Sequence, residues 1–240
     1  MDVKEEAILG ADVGNHWYYA SKGRAMARFL GDYRTPSVLD VGAGSGFFSK
    51  YLIASERCAS AVCVDPAYSQ ERDEIFAGHP VRFVRSVTDI DHRLILMMDV
   101  LEHVADDLGL LRAYSDPMPS GGRILITVPA FQSLWSGHDT FLEHYRRYRI
   151  GMVDDLVRRA ELRVIKSRYF FGLLFPIAAA MRLRERGRLR RGEIQPTSSL
   201  ALYPPVVNRA LTLVHDLERA LVMPWNRIAG LTVFCLAEKP

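Results

Sequence analysis

The feature that most constrains this chain is the run Val38-Leu39-Asp40-Val41-Gly42-Ala43-Gly44-Ser45-Gly46-Phe47-Phe48-Ser49-Lys50-Tyr51-Leu52. Val38 to Val41 read as a short strand buried on both faces. Gly42, Ala43 and Gly44 form a turn in which a side chain would obstruct, and the residues from Ser45 onward are helical, with Phe48, Tyr51 and Leu52 on one face. A strand, a glycine turn and a helix start bring backbone N–H groups towards a ligand laid across the turn. The spacing discriminates between ligands. A dinucleotide turn needs Gly-x-Gly-x-x-Gly, but Phe47 stands in the third glycine's place. The P-loop reading fails because no Gly-Lys-Ser/Thr follows.

With its hydrophobic-Leu-Asp-hydrophobic approach to Gly-x-Gly-x-Gly, the run resembles motif I of the class I S-adenosylmethionine (SAM) methyltransferases. Asp40 is then expected to orient the turn, and Gly42, Ala43, Gly44 and Gly46 to give close backbone approach. Ala61-Val62-Cys63-Val64-Asp65 reads as the second parallel strand. Its terminal Asp65, followed by Pro66, lies about 20 residues beyond the turn, where a carboxylate can accept both ribose hydroxyls. Many class I methyltransferases carry an acid after the third strand that meets the adenine. Here that stretch reads Ser86-Val87-Thr88-Asp89, with Asp89, Thr88 and the Val87 backbone as candidates. Leu94 to Met98 is a fourth strand running into Asp99-Val100-Leu101-Glu102-His103-Val104, which resembles a motif of many small-molecule methyltransferases. At a carboxyl strand end near the switch point of the sheet, Met98 and Asp99 are expected to border the sulfonium end of the cofactor; either Glu102 or His103 orients the site, or both serve as capping and packing residues.

The alternation of strands and helices predicts an α/β fold, a doubly wound Rossmann-like sheet. The resemblance implies seven strands, the last antiparallel. Tyr68 to Ala77 reads as a helix closed by Gly78, Val81 to Val84 as a strand, Asp106 to Tyr114 as a helix, and Arg123 to Val128 as the fifth strand. Met152 to Ala160 follows as a helix, Leu162 to Tyr169 as the sixth strand and Leu231 to Ala237 as the last. The long segment before that last strand predicts a helical insertion on the substrate side. The chain is thus read as one domain, residues 1–240. A helix over 15–35 covers the cofactor, 36–170 form the core, 171–229 the insertion and 230–240 the final strand. Met1 to Gly14 carries little signal and is expected to be loosely ordered.

The segment Pro129 to Tyr148 is the most distinctive, joining aromatics, His138, His144, acids, Arg146 and Arg147 in one connection that leaves a strand end. Its Glu-His-Tyr-Arg-Arg-Tyr wording resembles a group of bacterial methyltransferases often found among glycan- and lipid-modifying functions. Many of these carry a His-aromatic-Trp-aromatic element before motif I; His16-Trp17-Tyr18-Tyr19 lacks the aromatic between His and Trp. Three readings compete. A metal site from His138, Asp139 and His144 fits no standard ligand spacing, so no metal is expected. A structural lid would pair the arginines with acids. The favoured reading is a catalytic lid, in which a histidine takes the acceptor's proton and the arginines fork onto an acceptor carboxylate or phosphate. His144 is the first candidate for the base and His138 the second, with Tyr145 also serving the acceptor.

Composition limits the partners. The net charge of +3 is too small to argue for nucleic acid. The basic run Arg182 to Arg191 holds six arginines against Glu185, but no RNA-binding module or Asn-Pro-Pro-Tyr-type motif accompanies it. Beside the apolar stretch Phe170 to Met181 it admits peripheral contact with anionic lipid. Gln195 to Pro205 reads as a mobile connection, and Val206 to Leu221 as a helix with Leu211, Val214, Leu217 and Leu221 on one face. Cys58, Cys63 and Cys235 form no C-x-x-C or zinc spacing, the N-terminus lacks an apolar signal core, and no apolar run reaches about 18 residues. The expectation is a cytoplasmic, possibly membrane-peripheral, SAM methyltransferase acting on an oxygen or nitrogen of a small-molecule, glycan or lipid-linked acceptor. The competing class is a SAM-binding regulatory or scaffold protein. His103 completes the expected cofactor side; oligomeric state is not legible.

Overall fold

The computed structural model describes residues 10–191, 195, 197 and 202–240. The readings for residues 1–9 and for most of Gln195–Tyr203 lie outside the described residues. The centre is an eight-stranded sheet of order β3-β4-β2-β1-β5-β6-β8-β7. Its strands are β1 (Thr35–Val41), β2 (Cys58–Val64), β3 (Arg72–Phe76), β4 (His79–Val84), β5 (Leu94–Met98), β6 (Arg123–Pro129), β7 (Arg163–Phe170) and β8 (Thr232–Glu238). β1 pairs in parallel with β2 on one side and β5 on the other, so the strand order reverses at β1/β5. That reversal opens a crevice at the carboxyl strand ends.

Strands buried on both faces read as continuous apolar runs, and alternate residues serve opposite faces. Along β5, Leu94, Leu96 and Met98 join a core with Met26, Phe29, Phe48 and Leu52. Ile95 and Met97 join Leu111, Val153 and Val157 on the other face. The first face is therefore covered by α1 (Trp17–Leu30) and α2 (Phe47–Ala54), and the second by α3 (Asp107–Ser115) and α5 (Ile150–Arg159). α4 (Gly137–Phe141) is a single short helix held by a capping box of Ser136 and Asp139. Between β7 and β8 lie α6 (Phe175–Arg190) and α7 (Pro205–Leu221). α7 packs on α1, where Asn208 Oδ1 accepts from Trp17 N at 2.7 Å and the His215 ring stacks on Trp17 at 5.3 Å. Its buried face carries the His215–Glu218 pair, while Leu213, Leu217 and Leu221 remain exposed.

One expected element is corrected. Tyr68–Ala77 is not a helix. Its second half is β3, which pairs antiparallel with β4, Glu74 opposite Val81. Ala77 and Gly78 both have left-handed φ, 50° and 81°, the two-residue turn whose twist suits a hairpin. The helix-forming residues Glu71, Arg72, Asp73 and Glu74 gave a misleading local preference, which sheet pairing overrides. β3 is an added edge; the other seven strands form the expected doubly wound sheet, with β8 antiparallel to both neighbours.

Candidate functional site

The glycine turn joins β1 to α2. Gly42, Gly44 and Gly46 have φ of 64°, 52° and 71°, a region closed to most side chains. A Cβ on Gly42 would also lie 2.8 Å from Val100 Cγ2, beside the end of β5. Asp40 is buried at 1% exposure and accepts from Ser49 Oγ at 2.8 Å, tying β1 to α2. Burial pushes its carboxyl up to about 6. Asp65 ends β2 against the turn: Oδ2 accepts from Gly44 N at 3.1 Å and Oδ1 from Ala67 N at 3.0 Å. Tyr68 Oη donates to Gly44 O at 2.6 Å. Ala43 is buried beneath the turn, whereas Pro66 and Asp89 are exposed.

At the end of β5 the buried Met98 leads into Asp99, whose φ of 57° is unusual for a residue with a side chain. Thr127 of β6 fixes it, the backbone O accepting from Asp99 N at 2.9 Å and Oγ1 donating to Oδ1 at 3.1 Å. Lys22 of α1, at 0% exposure, pairs with Asp99 Oδ2, and Tyr18 Oη donates to the same atom. Burial alone would raise the Asp99 carboxyl, but Lys22 and Thr127 hold it below its ordinary value. Lys22 escaped the sequence reading; its signal was a lysine one turn after Tyr18 on an otherwise apolar face. Beyond Asp99, a 3₁₀ turn (Leu101–His103) presents Glu102 and His103. Burial first, and then the Asp99 carboxylate, push the Glu102 carboxyl well up.

The segment after β6 is clipped at both ends, since Phe131 N donates to Tyr148 O and Tyr148 N to Pro129 O. Asp139 organises its interior. Its carboxylate takes Arg147 Nε at 2.6 Å and Nη2 at 2.7 Å, Ser136 N at 2.8 Å, and His144 Nδ1 at 2.9 Å. Burial would raise this carboxyl, yet the His144 and Arg147 bonds hold it well below the carboxylate range. Arg147 is therefore internal, and Arg146 pairs with Asp107 at 2.8 Å. The expectation that both arginines fork onto the acceptor is corrected: a buried guanidinium has to be matched inside the protein.

These parts meet around a cavity of about 380 Å³ at the carboxyl ends of β5 and β6. Asp99, Glu102, His103, His138 and His144 line one side; Trp17, Leu174, Ile177, Met181 and Leu211 line the other. Burial first, and then Arg182, push the His138 imidazole down to about 3, so it is neutral at ordinary pH. Arg182, read in the sequence only as part of a basic run, also lines the cavity. Tyr145 does not: its side chain is 60% exposed, because its backbone N is clipped to Glu102 O at 2.7 Å and the ring turns outward.

A family model described as a methyltransferase domain matches residues 15–167. The chain belongs to this methyltransferase domain family. No curated protein sequence matches it. Solved structures share the fold. A SAM-dependent methyltransferase from Archaeoglobus fulgidus is 14% identical, with TM-score 0.54 over 99% of this chain and 98% of that one. Phosphoethanolamine N-methyltransferase 2 of Haemonchus contortus, in complex with SAM, is 14% identical, with TM-score 0.56 over 100% of this chain and 60% of that one. The [4+2]-cyclase SpnF is also similar, at 14% identity and TM-score 0.54, covering 93% and 82% respectively. In this methyltransferase the family match ends before α6 and α7, the helices that supply the apolar side of the cavity. All three cysteines are free and buried. No helix among the described residues is long and apolar enough to cross a membrane.

Proposed function

We propose that the protein transfers the methyl group of SAM to an oxygen or nitrogen of an acceptor seated in this cavity. The observation that carries the reading is the convergence of two sides: the end of β5, next to the glycine turn, and His144, held from behind by Asp139, face the same space. The residues fit the cofactor. Three left-handed glycines keep the turn free of side chains, Gly42 packing directly against Val100, and each Asp65 oxygen keeps acceptor capacity beyond its one backbone bond. SAM, when bound, supplies an already activated methyl group, so the chain's tasks are alignment, exclusion of water and handling of the acceptor's proton.

Asp65 is assigned to the ribose and Asp40 to the rigidity of the turn; the buried Lys22–Asp99 pair and Met98 border the reacting end. With Nδ1 of His144 held by Asp139, Nε2 is the nitrogen left on the cavity side, and His144 promotes loss of the acceptor's proton. His138, pushed down to about 3 by burial and Arg182, is too weak a base to hold the acceptor's proton and is assigned to orienting the acceptor. Pro66, Asp89 and Tyr145 receive no role. The apolar walls support an acceptor with a hydrophobic portion, such as a lipid-linked one. Exposed Ile177 and Met181, on the same helix as the arginines of α6, support delivery from a membrane surface. Mass spectrometry after incubation with methyl-labelled SAM and candidate extracts tests the reading; SAM binding without any methylated product would sink it. Sedimentation with anionic liposomes tests the surface, and an unbound protein would remove it.

A further inference from the structure

Glu102, His103 and His144 each bring one donor atom within 4.8 Å of the others, on the wall of the cavity. They come from two segments far apart in sequence, and the Tyr145 N to Glu102 O bond at 2.7 Å fastens those segments together. Glu102 is 1% exposed, and its Oε2 has no hydrogen-bond partner among the described residues. Leaving a buried carboxylate oxygen unmatched is unfavourable unless something positive meets it. The Asp139 carboxylate holds His144 through Nδ1, as carboxylates commonly hold metal-ligating histidines, and leaves Nε2 as the donor. The His103 and His144 rings stand 4.6 Å apart at 85°, so they are not stacked and both can aim a nitrogen at one point.

We infer that Glu102, His103 and His144 form a binding site for a divalent transition-metal ion, Zn²⁺ or a similar first-row cation. Two imidazoles and one carboxylate suit such ions better than Mg²⁺ or Ca²⁺, which favour all-oxygen shells. Three protein ligands leave coordination positions open to the cavity. On the reading that this cavity takes the acceptor, those positions bind an acceptor hydroxyl and acidify it. The hydroxyl proton leaves to water, and the oxygen–methyl bond forms as the methyl–sulfur bond of SAM breaks. His144 thus promotes proton loss as a ligand, through the ion. This proposal departs from the expectation of no metal, and its donor set differs from the alternative of His138, Asp139 and His144.

The test is calorimetric titration of the untagged, chelator-treated full chain with Zn²⁺ alone, with Co²⁺ visible absorption as a second probe. One ion per chain is expected, with a Co²⁺ spectrum of mixed nitrogen and oxygen ligation. Glu102→Gln, nearly the same shape, and His103→Ala are each expected to weaken Zn²⁺ at least tenfold while circular dichroism shows the fold intact. No stoichiometric ion, or one that both variants retain at full affinity, overturns the site. SAM affinity of the same metal-free protein is measured in parallel. Zn²⁺ binding without SAM binding removes the transferase reading and leaves the metal site standing; SAM binding without Zn²⁺ does the reverse.

Discussion

Replacing Asp139 by Ala tests whether the lid is a framework held by one buried ion pair. The substitution removes the bidentate partner of Arg147, which is 2% exposed, and also the acceptor for Ser136 N and His144 Nδ1. Arg147 keeps only neutral acceptors, such as Ala130 O at 3.2 Å. Removing one partner of a buried pair leaves an uncompensated charge, which costs about 3–5 kcal/mol. Urea unfolding followed by circular dichroism should show that loss as a lower midpoint with an unchanged slope. Asp139→Ala combined with Arg147→Met should recover part of it, since the stranded charge is then gone. The native stabilisation should also depend on pH. The Asp139 carboxyl is depressed in the folded state, so its contribution is fully present above the unfolded value of about 3.9 and declines as pH falls towards the lower folded value. A loss below about 1 kcal/mol, the range of solvated surface pairs, would refute the argument that this pair is internal.

Three further outcomes follow from the cofactor side. Asp65→Ala should weaken SAM at least tenfold by calorimetry with the fold intact; unchanged affinity would reject the ribose assignment. Gly42→Ala combines a φ of 64° with a 2.8 Å contact to Val100, so roughly 1–3 kcal/mol of stability should disappear. A companion Val100→Ala should restore the steric part alone. Asp40 has the opposite sign to Asp139: burial raises its folded carboxyl to about 6. The folded state therefore holds a proton that the unfolded chain has released, and stability falls between pH 4 and 6 as pH rises. Asp40→Asn should flatten that slope, a difference of roughly 3 kcal/mol at pH 7 in denaturant titrations; parallel slopes in the two proteins would contradict a buried, uncompensated Asp40.

The glycine turn and the strands around it were legible because local rules specify them. Gly42 and Gly46 answer to a backbone conformation, and the apolar runs of β1, β2, β5 and β6 answer to burial on both faces. Even Asp65 is located by counting from the turn. β3 was not legible, because Glu71 to Glu74 favour a helix in isolation and only pairing with β4 decides otherwise. Arg147 reads as a substrate fork until its partner is known, and local sequence does not say that Asp139 will take its Nε–Nη2 edge while Ala130 O takes Nη1.

The acceptor side differs in kind, because its chemistry is created by convergence. Lys22 meets Asp99, and His144 meets Glu102 and His103, across sequence separations that no local period connects. The same logic applies to α6, which lies in the segment expected to form a substrate-side insertion. Arg182, Met181 and Ile177 read locally as a basic apolar helix, and they also line the cavity, where Gly137 N donates to Glu185 at 3.1 Å and ties the helix to the lid. The family match stops before this helix. On the proposed reading, which assigns SAM to the β1 turn and Asp65, changes along α6 should accordingly alter which acceptor is methylated while leaving SAM affinity unchanged. Met181→Ala, assayed for both quantities, separates the two halves; an equal fall in SAM affinity would mean that the halves are not independent.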